Sequence, residues 1–112
     1  MLLEEFTKKE MYQAQFGDNE RLIDYAGKTV NVAKAAVVED NGNDGYLRKV
    51  LHIITPEGNV ISSMSVSAVH DFVILAEIFG EELQDLEVKN GTTKRGDEFI
   101  TLRAGELTMM GL

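Results

Sequence analysis

Two hydrophobic periods share this chain, and the point where one gives way to the other narrows the folds open to it. From Lys28 to Met64, and again from Leu86 to Arg103, apolar and polar residues alternate at the period of two that strands require. Between these stretches Val69, Phe72, Val73 and Ala76 fall at i, i+3, i+4 and i+7, which is one face of a helix. A run of strands, one helix, then more strands is therefore the first constraint.

The strand-like part divides at its turn residues. Lys28 to Val38 places Val30, Val32, Ala36 and Val38 on one face, and residues 39–45 then form a loop rich in Asp, Asn and Gly. Tyr46 to Thr55 sets Leu47, Leu51 and Ile53 against Tyr46, Arg48 and His52. Pro56 to Asn59 suits a tight turn, and Asn59 to Met64 makes a third strand. Ser65 or Ser67 can cap the helix, Asp71 sits near its positive end and Gly80 can close it. Its polar face (Ser67, His70, Glu77) is narrow, which predicts a mostly buried helix. A fourth strand starts at Leu86–Lys89, and the turn Asn90-Gly91, or the longer NGTTKRG, leads to a fifth from Glu98 to Arg103.

The order β-β-β-α-β-β predicts an all-β domain with one helix, an OB-fold-like five-stranded Greek-key barrel with the helix plugging one end. An SH3-like barrel is the main competitor, and it lacks an obligatory helix at that point. Residues 27–105 make the barrel, 1–26 an N-terminal arm or short helix, and 106–112 a tail. At 112 residues one domain is expected.

Composition excludes several chemistries. There is no cysteine, so disulfides, thiolate zinc sites and a cysteine nucleophile are out, in keeping with a reducing cytoplasm. The longest apolar stretch, Phe72 to Phe79, is broken by Glu77 and is too short to span a membrane. The N-terminus MLLEEFTKKE has acids where a secretory signal has bases, so a cytoplasmic protein is expected.

No catalytic constellation emerges. Ser67, His70 and Asp71 lie close in sequence, but Asp71 points about 100° around a helix from its neighbour His70. The loop from Asp40 to Gly45 fails as a calcium loop, with Gly42 at the third position and Leu51 at the twelfth. Glycine-rich phosphate cradles are absent, and adjacent acids such as Glu4-Glu5 and Glu81-Glu82 diverge. A non-enzymatic protein without cofactor or metal is expected.

A net charge of −8 weighs against nucleic acid, yet Lys89 to Gly96 (KNGTTKRG) carries three of the 11 basic residues and no acid. In an OB-like barrel this segment joins strands four and five, a loop such barrels use to grip oligonucleotides. Lys34, Arg48, Lys94, Arg95 and Arg103 are the candidate phosphate contacts, with His52 beside them on the second strand. Tyr46 and Phe99 are the candidate stacking platforms, and Tyr25 is a third.

The stretch from Gly58 to Leu102 resembles the small single-stranded-DNA-binding proteins of tailed bacteriophages that replicate linear genomes by protein priming. The resembling residues are Gly58 with Ser63 and Ser65, Ile78-Phe79-Gly80, Leu86-Glu87-Val88, and Gly96-Asp97-Glu98-Phe99-Ile100-Thr101-Leu102. Gly27-Lys28-Thr29-Val30 and Val37-Val38-Glu39 extend the likeness to about residues 27–103. The resemblance implies an OB-fold that coats displaced single strands during phage or mobile-element replication, without sequence preference. The alternative from another class is a protein-interaction or homo-oligomerisation module with an acidic working surface. Its adaptable contacts would be Leu107, Met109, Met110 and the cluster Leu2, Leu3 and Phe6.

Overall fold

The computed structural model describes residues 6–41, 45 and 47–111. The elements are α1 (Lys8–Phe16), β1 (Glu20–Arg21), β2 (Thr29–Asn31), β3 (Lys34–Asn41), β4 (Leu47–Ile54), β5 (Val60–Ser63), α2 (Val66–Phe79), β6 (Asp85–Thr92), β7 (Glu98–Ala104) and α3 (Glu106–Met110). Leu2, Leu3, Tyr46 and most of the loop after β3 lie outside the described residues.

The first expected strand is real but divided. Val32 N–H donates to Gln84 O (2.9 Å), while the next N–H, from Ala33, donates to Ile54 O (2.8 Å). Successive amides thus serve different sheets, and the chain turns from β2 into β3 at that point. β3 joins a four-stranded sheet in the order β1-β5-β4-β3, and β2 joins a three-stranded sheet in the order β2-β6-β7. The expected meander survives as β3-β4-β5, antiparallel throughout, and the expected final hairpin is β6-β7.

The closed five-stranded barrel is corrected. Among the described residues no ladder joins β5 to β7, so the two sheets stay open on that side. The helix occupies the edge instead. Ser67 Oγ donates to Ile100 O (2.6 Å), and Leu102 N–H donates to Asp71 Oδ2 (3.0 Å). These two α2 side chains satisfy groups that a neighbouring strand would otherwise pair. Ser65 caps the helix through Ala68 N–H, and Gly80 ends it with a positive φ of 56°.

One main core lies between the sheets and α2, with Phe72, Leu51, Ile53, Ile61, Leu86 and Leu102 almost fully buried. Burying each such side chain contributes about 1.5–3 kcal/mol. A second cluster joins Phe6, Ala14 and Met11 to Ala36, Ile54 and Val60, so α1 covers the opposite face of the four-stranded sheet. For this reason β4 is buried on both faces from Val50 onward, where alternation predicted one polar face.

Two further expectations change. α2 is not buried all round: Val66, Ile74 and Ile78 are exposed along its outer side. The expected tail forms α3, locked by a buried exchange between Asp85 and Thr108. Asp85 carboxylate oxygens accept from Leu107 N–H (3.1 Å), Thr108 N–H (2.9 Å) and Thr108 Oγ1 (2.7 Å). Thr108 Oγ1 in turn accepts from the amides of Gln84 and Asp85, both at 3.0 Å.

Candidate nucleic-acid interface

The hairpin that carries the basic segment is built by its own turn chemistry. Gly96 N–H donates to Thr93 O (2.9 Å) and Thr93 N–H to Asp97 O (2.8 Å), with Gly96 at φ 90°. This is a type I turn closed by a glycine bulge, the usual three-residue hairpin loop. Lys94 and Arg95 occupy its two corners, both exposed, and neither is ion-paired among the described residues.

The register then decides which side chains share a face. Glu87 opposes Arg103, Lys89 opposes Thr101 and Gly91 opposes Phe99. The positions between them, Leu86, Val88, Ile100 and Leu102, face the core. The outer face of the β6-β7 ribbon therefore presents Arg103 beside Glu87, then Lys89 beside Thr101, then Phe99 over Gly91, in succession toward the cationic tip. A Cβ at residue 91 would fall on the Phe99 ring, so the absence of a side chain there seats the ring over the ribbon. The Phe99 ring thus packs against Gly91 and remains partly accessible.

Arg103 is 63% exposed in its side chain, donating to its own backbone neighbour Leu102 O (2.8 Å) and reaching Asp71 Oδ2 at 3.5 Å. Asp71 is thereby fixed by β7, with His70 Nδ1 3.7 Å from its other oxygen. Ser67 is committed to Ile100, so Ser67, His70 and Asp71 serve the helix–strand seam.

The remaining candidates do not join this face. Lys34, on β3, donates to Glu10 Oε1 at 2.8 Å. That contact, together with the Thr7 backbone N–H, holds the Glu10 carboxyl below its ordinary pKa. Arg48 is exposed at the start of β4, in register with Asp40 of β3 within the four-stranded sheet. His52 is corrected as a surface contact: it is buried, with Nδ1 2.6 Å from Ser62 Oγ. Asn19 Nδ2 donates to the same Ser62 oxygen (3.2 Å) and to Ala14 O (2.6 Å), tying the segment after α1 to the sheet. Tyr46 lies outside the described residues. Tyr25 donates its hydroxyl to Glu20 Oε2 (2.6 Å), and that carboxylate raises the Tyr25 pKa. Its ring also packs against the main core, which limits it as a platform.

Lys89 is the residue that site prediction left out. Strand parity with Thr101 and Arg103 would have found it once the hairpin register was known.

A cleft of 720 Å3, with Phe99 on its rim, lies between the end of α1, the four-stranded sheet and the start of β7. Its walls include Phe16, Met64, Val50 and Ile100, with Arg21, Glu39 and Glu98 among its charged residues. Among the described residues no group of three or more His, Asp or Glu side chains is placed to hold a metal ion. Among the described residues no helix is long and apolar enough to cross a membrane. Comparisons with protein-family models, curated proteins and solved structures find no match to this chain.

Proposed function

We propose that this protein is an opened OB-like barrel that binds single-stranded DNA without sequence preference and performs no catalysis, as in phage or mobile-element replication. The observation that carries the reading is the alignment of Arg103, Lys89, Phe99, Lys94 and Arg95 along one face and tip of a single ribbon. Cations at strand spacing match a phosphate backbone, and one accessible ring offers a base about 1–3 kcal/mol of stacking. The bent first strand, shared between two sheets and followed by β-β-α-β-β, supports the OB-like reading.

On this account DNA runs along the outer face of β6-β7, and Lys34, Arg48 and His52 play no direct part. Four phosphate contacts give log K a slope near −3 against log salt for a single strand. Fluorescence anisotropy with a labelled oligo-dT at two salt concentrations tests this. Saturable binding with that slope supports the reading, and no binding at low salt refutes it.

A further inference from the structure

We propose that the cleft beside β4 and β7 is a docking site for an extended peptide segment of a partner protein, taken up by strand addition. The hydrogen-bond parity of the two strands carries the inference. Thr55 N–H donates to Asn59 O, so Thr55, Ile53 and Leu51 direct their backbone groups toward β5. Lys49 continues that parity, but β5 ends at Ser63 opposite Leu51. The Lys49 amide and carbonyl therefore face the side where the four-stranded sheet has run out of strand.

β7 shows the same deficit. Thr93 N–H donates to Asp97 O and Gly105 N–H to Asp85 O, which sends the odd residues of β7 toward β6 and the even ones outward. Ser67 and Asp71 take the outward groups at Ile100 O and Leu102 N–H. The outward groups of Glu98 and the Ile100 N–H have no strand beside them among the described residues. Val50, next to Lys49, and Glu98 through Ile100 border one cleft of 720 Å3, within the ~300–1,000 Å3 range of built binding sites.

Two unpaired strand edges select an extended backbone, because only a strand offers donors and acceptors at their spacing. The side walls select its side chains. Phe16 is 74% and Met64 60% exposed at the cleft, surfaces that favour an apolar anchor on the incoming segment. Glu39 and Glu98 outnumber Arg21 on the same walls, which favours a lysine or arginine next to that anchor and disfavours a phosphate backbone. The partner is thus a segment with alternating apolar residues and a basic flank.

The test uses the full chain, labelled with 15N, and heptapeptides selected on it from a random display library. The expected result is enrichment of alternating apolar sequences with a basic residue, which shift and protect the amides of Lys49, Glu98 and Ile100. Met64→Asp and Phe16→Asp, both exposed positions outside the core, should each weaken those peptides about tenfold or more. Glu39→Lys with Glu98→Lys should weaken them more than Glu77→Lys with Glu81→Lys, an equal charge change elsewhere on the surface. The proposal is overturned if no peptide is enriched, if enriched peptides perturb other amides, or if the two charge pairs act alike. It is equally overturned if oligo-dT protects the Lys49 amide together with those beside Phe99, or if these amides are already protected in a dimer seen by sedimentation.

Discussion

At the scale of single residues, buried polar pairs and missing side chains do most to fix the geometry. Asp85 is 2% exposed and depends on Thr108 and the α3 amides for its partners. Removing the hydroxyl takes one of three donors from a buried carboxylate and the acceptor from the Gln84 and Asp85 amides, so Thr108→Val should cost about 1–3 kcal/mol in urea unfolding. Thr108→Ser should recover most of it; equal losses in both variants would refute the hydrogen-bond explanation. At Gly91 the deciding factor is space, since the Phe99 ring lies where a Cβ would stand. Gly91→Val should displace that ring and destabilise by about 1–3 kcal/mol. The turn was legible only in part: Asn90 and Gly91, a turn pair by composition, lie inside β6, and the chain reverses farther on, at Thr93–Asp97. His52 was not legible as buried. Alternation tells which residues share a face, and it does not tell that α1, distant in sequence, covers that face.

At the scale of elements, α1 and α2 close surfaces that the sheets leave exposed. Glu10 caps α1 by accepting from Thr7 N–H (2.9 Å) and also accepts from Lys34 (2.8 Å), joining the helix to β3. These contacts lower its pKa, so its contribution is complete above the ordinary carboxylate range and is lost as pH falls through the lowered value. Glu10→Gln should remove that acid-sensitive part, under ~1 kcal/mol because the pair is partly solvated, seen as a smaller stability drop between neutral and acid pH. An unchanged pH profile would contradict the contact. α2 replaces a strand at the β7 edge, and Asp71→Ala should speed amide exchange at Leu102 about tenfold while leaving the β6-β7 ladder intact. The sequence announced this helix by its period and its serine cap. The period could not announce that Ser67 and Asp71 would hold an edge open to closure, because both look like ordinary surface polar residues. Nor could it show the division of the first strand, which rests on two consecutive amides bonding to different sheets.

At the scale of the whole molecule, the net charge of −8 is distributed unevenly. Glu77 to Glu87 holds five acids and no base, whereas Lys89 to Gly96 holds three bases and no acid. Screening over about 8–10 Å lets the ribbon act on its own charges. On the proposed reading the acidic remainder repels phosphate elsewhere on the surface, and the ribbon's own cation–phosphate contacts make binding salt-dependent. Of the nine residues nominated from sequence, the fold gathers Lys94, Arg95, Phe99 and Arg103, because they share one hairpin and its register. Lys34, Arg48 and His52 belong to the other sheet, and only the topology separates them.

The most direct measurement compares oligo-dT affinity in two variants of equal charge, Lys94→Glu with Arg95→Glu and Lys8→Glu with Lys9→Glu. All four residues are exposed, and the second pair lies on α1, away from the ribbon. The account predicts that the hairpin pair abolishes binding at moderate salt while the α1 pair changes it only a few-fold. Equal losses, or a hairpin variant that binds like the parent chain, would contradict it.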